Sequence, residues 1–202
     1  MKKGAPESKM AKKNHEDLRV QKTKRLLFST FMNMLAEGSY EDITVNSLCQ
    51  AADIRRATFY KHFSDKTDFS LFVMYSLREQ FEKGIWKSGI QFDAGTRYYV
   101  AYANAVIEFI DNNEAIVKNL LQSAMLSPLL KMVIEQNAKE TFERLKMSEK
   151  LGLSAVCSVE TVTTVLSCGI TAIIFDWISA GKSKPKSEIS YEIEAVINAL
   201  LT

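Results

Sequence analysis

Residues 44–66 read TVNSLCQAADIRRATFYKHFSDK, and this stretch decides the fold. Thr44 stands where a hydroxyl can cap a helix. Val45, Leu48, Cys49 and Ala52 follow at the i, i+3, i+4, i+7 spacing of one buried helical face. Asp53 and Ile54 break the run, and aspartate tolerates the left-handed backbone of such a turn better than most residues. Arg55 to Phe63 then reads as a second short helix. Upstream, a helical pattern from Glu16 carries Leu27, Phe31, Met34 and Leu35 on one stripe and stops at Gly38, read as a left-handed cap. Three helices with a tight break between the last two have the pattern of a helix-turn-helix. Downstream, Ser64 is the predicted cap of a long amphipathic helix over Asp65–Trp86, with Phe69, Phe72, Val73, Leu77 and Phe81 on its stripe.

The rest of the chain keeps the helical period. Helices are predicted over Thr96–Asn112, Glu114–Ser123, from Ser127-Pro128 to Met147, from Ser158 to Ala180 and over Glu188–Leu201. The Ser158–Ala180 helix is apolar on nearly every side and is expected to be buried on every side. Gly181 ends it, and the spacer KSKPKS follows. Eight glycines and three prolines in 202 residues are about half of average usage, too few turn residues for a sandwich or barrel. The fold class is therefore all-α. Residues 16–66 form an N-terminal three-helix helix-turn-helix domain and 67–202 a C-terminal helical domain. Residues 1–15, MKKGAPESKMAKKNH, have no apolar period and are expected to be a disordered basic arm.

Charge is unevenly spread. Residues 1–66 hold thirteen Lys/Arg against eight Asp/Glu, and residues 67–202 thirteen against sixteen. A basic head on a mildly acidic body suits contact with a polyanion. The longest charge-free apolar stretch of the C-terminal half, Thr161–Phe175, has fifteen residues, below the roughly 18 of a membrane span, so no membrane partner is expected. The basic N-terminus has no apolar region behind it, which predicts no secretory signal. Three scattered cysteines, Cys49, Cys157 and Cys168, make neither a disulfide framework nor a zinc site; they read as reduced, buried thiols of a cytoplasmic protein. His62 and His15 are the only histidines and have no Cys or Asp cluster beside them. No catalytic constellation, metal site or phosphate-binding glycine loop is present in the sequence, so neither an enzyme nor a cofactor is expected.

The stretch 44–66 resembles the signature of the Tet repressor (TetR/AcrR) family of transcriptional regulators. That signature runs Ala-Gly-Val/Ile-Ser/Thr, two free positions, Thr/Ser, an apolar residue, Tyr, one free position, His/Tyr and Phe, with a lysine following. Ala52, Ile54, Thr58, Phe59, Tyr60, His62, Phe63 and Lys66 match it at the right spacings. Asp53 replaces the family's turn glycine. Arg55 replaces its Ser/Thr cap, which loses a capping hydrogen bond and sets a second guanidinium beside Arg56. The resemblance covers about residues 20–70 and implies binding of double-stranded operator DNA. Arg55 and Arg56 suit bidentate bonds to guanine, Ala57 close approach, and Thr58 a hydroxyl and a methyl. Tyr60, Lys61 and His62 fall where the family places phosphate contacts. Thr44 and Lys66, at helix starts, suit phosphate as well. Phe59 and Phe63 are expected in the core.

For the C-terminal domain the resemblance implies ligand binding and homodimerisation. Aromatic and methionine side chains suited to an apolar, largely uncharged pocket for an unknown small-molecule effector include Phe72, Tyr75, Tyr98 and Tyr102, with Phe109, Met125, Phe142 and Phe175. Glu108, Asp111 and Asp176 are its possible charged exceptions. Dimerisation candidates on the last two helices are Val162, Leu166, Ile173, Ile193, Val196, Ile197 and Leu200. The expected function is a homodimeric regulator, a repressor, that binds a palindromic operator and is released by the effector. The alternative is a TetR-like protein that acts through a protein partner or as an architectural DNA binder.

Overall fold

The computed structural model describes residues 7–89, 96–124, 126–150 and 152–201, with side chains from residue 18 onward. The described residues form helices α1 (Glu7–Glu37), α2 (Val45–Ala51), α3 (Arg56–Tyr60), α4 (Lys66–Lys87), α5 (Thr96–Asn112), α6 (Glu114–Leu121), α7 (Leu126–Glu149), α8 (Val159–Thr164), α9 (Ile170–Ser179) and α10 (Lys186–Leu200). Among them there is no strand, only an isolated bridge between Ala155 and Leu201. The chain divides into two compact units, Met1–Val73 and Met74–Thr202, and α4 belongs to both.

In the first unit, α1 begins at Glu7, so the helix takes in 7–15, which the sequence reading leaves in a disordered arm; residues 1–6 lie outside the described residues. The physical reason is propensity: Met10, Ala11, Lys12 and Lys13 are good helix formers and need no apolar stripe to continue a helix. Leu27, Phe31 and Leu35 are buried as the stripe predicts. Gly38 ends α1 without entering the left-handed region, its N–H bonding the Met34 carbonyl as one more helical turn. Phe69 of α4 is fully buried at the centre of an aromatic cluster, its ring centroid 5.3 Å from that of Phe31, 5.7 Å from Phe59 and 5.0 Å from Phe63. Edge-on and tilted packing of this kind suits the ring quadrupoles and adds to simple burial. Asp65, not Ser64, caps α4. Its Oδ1 accepts from the Asp68 N–H (2.8 Å), while Asp68 Oδ2 accepts from the Ser64 N–H (2.8 Å).

In the second unit, α5 and α10 pack along their length, and Tyr99, Ala103, Ile107, Ile189, Ile193 and Ile197 join one core with Val162, Leu166 and Trp177. The predicted Ser158–Ala180 helix is interrupted: α8 and α9 are separated by a π turn over Val165–Gly169. Ser158 caps it, accepting from Thr161 N. Gly181 (φ 67°) and Lys182 (φ 57°) close it, with Gly181 N bonding Ile178 O and Lys182 N bonding Trp177 O. The whole run Val159–Ser179 has 21 residues, longer than its charge-free stretch, and by length and composition alone could cross a membrane. It is not buried on every side: 33% of its apolar stretch is buried in one chain. Cys49 is buried as expected. Cys157, in the bend before α8, and Cys168, in the π turn, are exposed.

Candidate nucleic-acid interface

The turn between α2 and α3 shows how local chemistry aims the site. Thr44 and Ser47 form a reciprocal capping box: Ser47 N–H donates to Thr44 Oγ1 (3.0 Å) and Thr44 N–H to Ser47 Oγ (2.9 Å). At the other end of α2, Asp53 (φ 50°) takes the left-handed position. Asp53 N–H bonds the Gln50 carbonyl (3.1 Å) and Ile54 N–H the Cys49 carbonyl (2.9 Å), the paired bonds of a Schellman ending. Arg55 stands at the N-cap of α3 with no side-chain capping bond, as its substitution for Ser/Thr predicts.

Helix α3 is short and two-faced. Phe59 and Phe63 are buried, while Arg55, Arg56, Ala57, Tyr60 and Lys61 are exposed and Thr58 and His62 half-buried. Arg56 Nη2 reaches the Tyr60 hydroxyl at 3.5 Å, and its guanidinium lies 5.8 Å from the centre of that ring. This weak contact leaves most of the guanidinium's five donors facing water. Burial, then the neighbouring Lys24 and Lys61 ammoniums, pushes the His62 imidazole below its ordinary range. His62 is therefore neutral near pH 7, a hydrogen-bonding group and not a cation. Lys24 is a residue that sequence reasoning missed. Its ammonium sits 5.5 Å from the Phe63 ring centre and 5.3 Å from that of Phe72, adding α1 to the cationic face. Only the packing of α1 brings it there.

Two of the expected phosphate ligands also make contacts within the protein. Lys66 donates to the Tyr40 carbonyl and lies 3.6 Å from the centre of that ring, and the Tyr40 hydroxyl pairs with Ser70 at 3.1 Å. Burial pushes the Lys66 ammonium below its usual range, against the pull of Glu41 and Asp42. The residue is a strut between the α1–α2 connection and α4. Thr44 is exposed, but its hydroxyl is engaged with Ser47.

In the second unit the pocket candidates separate. Phe72 belongs to the first unit's aromatic cluster, 5.2 Å from Phe63. Tyr75 is exposed and bonds Gln136. Tyr98, Tyr102, Phe109 and Phe142 join or pack against the core; Phe175 is half-buried, and Met125 lies outside the described residues. Their surroundings are charged. Arg78 and Glu82 of α4 meet Glu140 and Arg144 of α7, with Arg78 Nε 2.5 Å from Glu140 Oε2 and Arg144 Nη2 2.8 Å from Glu82 Oε1. The Arg78 guanidinium covers the Tyr102 ring at 4.7 Å, and that of Arg144 covers Tyr98 at 4.2 Å. Tyr98 donates to Glu82 (3.1 Å). Burial raises the hydroxyls of Tyr98, Tyr99 and Tyr102, which stay protonated. The charge comes from polar residues spaced three and four apart on two helices, a pattern that also fits a solvated surface and so points to no interior from sequence alone. Glu108 and Asp111 instead pair with Lys186 and Lys182, and Asp176 is exposed.

The dimer candidates also divide. Val162, Leu166, Ile193 and Ile197 are buried within their own unit, because α5 already packs on α10 and α7 on α8, so they are core and present no surface. Ile173, Val196 and Leu200 are half-buried. Val165 and Tyr191 are the large apolar residues that these helices expose.

Residues 28–71 match the sequence profile of "Bacterial regulatory proteins, tetR family", which covers α2, α3 and their flanks. An uncharacterised HTH-type transcriptional regulator of Bacillus subtilis is 38% identical over 58 residues, 28% of this chain and 15% of its own length. A second, of Haemophilus influenzae, is 26% identical over 105 residues, 52% of this chain and 51% of its own. The chain thus spans about half or less of the length of these curated relatives. Among solved structures, a putative TetR-family transcriptional regulator from Syntrophomonas wolfei superposes with TM-score 0.66 at 14% identity, covering 88% of this chain and 94% of that one. RolR in complex with resorcinol superposes with TM-score 0.55 at 13% identity, covering 89% of each. These likenesses show the fold: a helix-turn-helix followed by a helical domain. Over residues 28–71 the chain is similar to bacterial regulatory proteins of the tetR family.

Proposed function

We propose that the protein is a homodimeric repressor that binds an inverted-repeat operator through α3 and is released by a small-molecule effector held in the second unit. The observation that carries the first part is the two-faced α3. Its aromatic side is locked in the core, and Arg55, Arg56, Ala57, Tyr60 and Lys61 stand together on the outside. Residues at the start of a recognition helix approach base edges, and an arginine there reads guanine O6 and N7 with two bonds. Thr58, His62, Lys24 and the start of α2 at Thr44 flank that face as backbone contacts.

Dimerisation is supported by the apolar run Val159–Ser179, most of whose apolar stretch is left unburied by one chain, and by exposed Val165 and Tyr191. A second copy is the economical cover, since a two-fold protein matches a two-fold operator. RolR binds resorcinol on a similar fold. In this protein an effector acts by favouring one position of α4 over another, which takes only a few kcal/mol of differential affinity. A regulator of this kind works in the cytoplasm. The exposed Val156, Val165 and Tyr191 equally suit a partner protein, with no effector involved.

The test is selection of bound sequences from a random duplex library at near-physiological salt. Enrichment of an inverted repeat is the expected result and supplies the probe for an effector screen. Recovery of salt-sensitive binding without sequence preference would favour the partner-protein or architectural reading instead.

A further inference from the structure

The two helices of the motif begin differently. α2 starts under the reciprocal Thr44–Ser47 capping box, whereas the N-cap of α3 is Arg55, whose side chain makes no capping bond. The Arg55 backbone is ordinary for an N-cap (φ −75°, ψ 141°), and its carbonyl accepts from the Thr58 N–H at 2.8 Å. Only the side chain is wrong for the position. Serine, threonine or aspartate there would accept a bond from the first turn, and a cation at a helix start also opposes the helix dipole. Arg56 follows directly, so two exposed guanidiniums stand next to each other. Among the described residues neither is ion-paired with a carboxylate; the Arg56 side chain has the Tyr60 hydroxyl at 3.5 Å, and Arg55 has no such contact. A residue that breaks a local rule with no compensating contact inside the protein points to a partner outside it.

The chemistry of the guanidinium says what that partner offers. One guanidinium takes O6 and N7 of one guanine with two bonds, so two guanidiniums take two guanines. Successive Cα atoms are about 3.8 Å apart and successive base pairs about 3.4 Å, so two side chains of equal length meet neighbouring steps. Ala57, exposed and small, lets the start of the helix come close. We propose that each operator half-site holds two neighbouring G·C pairs, one read by Arg55 and the other by Arg56, and that Arg55 is a specificity-determining residue standing where a helix cap would. This deepens, and rests on, the reading that α3 enters the major groove of an operator. A contact from Arg55 to phosphate is the competing use of the same charge, and it would carry no sequence information.

The experiment measures the full-length protein and its Arg55→Ser variant on the operator recovered from the random duplex library, and on every single-base-pair substitution of it. The wild type is expected to lose about tenfold in affinity when either of two neighbouring G·C pairs becomes A·T. Arg55→Ser is expected to bind within about twofold whatever stands at one of those pairs, and to keep the preference of about tenfold at the other. It is also expected to melt about 4 °C higher, because serine restores the cap. Arg56→Ala is expected to lose the preference that Arg55→Ser keeps. An operator without neighbouring G·C pairs, or an Arg55→Ser variant with the wild-type preferences, would overturn the proposal and leave operator binding standing. So would an Arg55→Ser variant that weakens every sequence alike and flattens the salt dependence, the mark of a phosphate contact. A wild type that selects no sequence would overturn the operator reading, and the proposal with it.

Discussion

At Lys66 the motif and the packed structure assign different work to one residue. Its place at the start of a helix suits phosphate, whereas its ammonium in fact ties α4 to the Tyr40 carbonyl. Lys66→Met is therefore expected to lower the stability of the N-terminal unit by about 1 kcal/mol, the usual worth of one hydrogen bond. It should leave the slope of log affinity against log salt unchanged, as a salt titration of operator binding would reveal. Arg56 is the opposite case. Arg56→Ala is expected to cost about 1–3 kcal/mol on the preferred operator and to relax the preference at one base position. Competition with single-base operator variants checks this, and an unchanged preference would move the reading face elsewhere. His62 carries a pH signature. Its folded-state pKa is lowered by burial and by Lys24 and Lys61, so the unfolded chain takes up a proton first as pH falls. The contribution to stability is complete above the ordinary value of 6.5 and is lost progressively as pH drops from there toward the folded pKa. Urea unfolding across that window should show the loss, and His62→Gln should abolish this part of it.

At the scale of elements, the α2–α3 turn was almost wholly legible because its determinants are local. A hydroxyl at Thr44, an apolar spacing of 3.6, a residue that tolerates positive φ at Asp53 and an uncapped Arg55 each act within a few residues of themselves. Asp53→Gly is expected to stabilise the domain by up to about 1 kcal/mol by relieving the left-handed strain of a residue with a Cβ. Chemical denaturation tests it, and a destabilised variant would mean that the Asp53 side chain itself supports the turn. The long apolar helix was less legible. Its hydropathy reads as burial on all sides, but burial depends on what packs against each face. The π turn at Val165–Gly169 packs against α7 and still leaves Val165 and Cys168 exposed.

At the scale of the whole molecule, the proposed homodimer makes the exposed side chains Val165 and Tyr191 its test. Val165→Lys combined with Tyr191→Lys is expected to give a folded monomer in sedimentation and to reduce binding of an inverted repeat to that of one half-site. A variant that sediments as the wild type does would remove these side chains from the interface. The sequence by itself determined the helical class, the helix-turn-helix and the exposed face of α3, since helix periodicity, capping and turn chemistry act over a few residues. Tertiary structure alone decided which apolar positions are core and which are surface: Val162, Leu166, Ile193 and Ile197 against Val165 and Tyr191. It also decided that Arg78 and Glu82 meet Glu140 and Arg144, some sixty residues away in the chain, as half-buried ion pairs. Both outcomes depend on long-range packing, where the environment of a side chain is set by residues that periodicity cannot see.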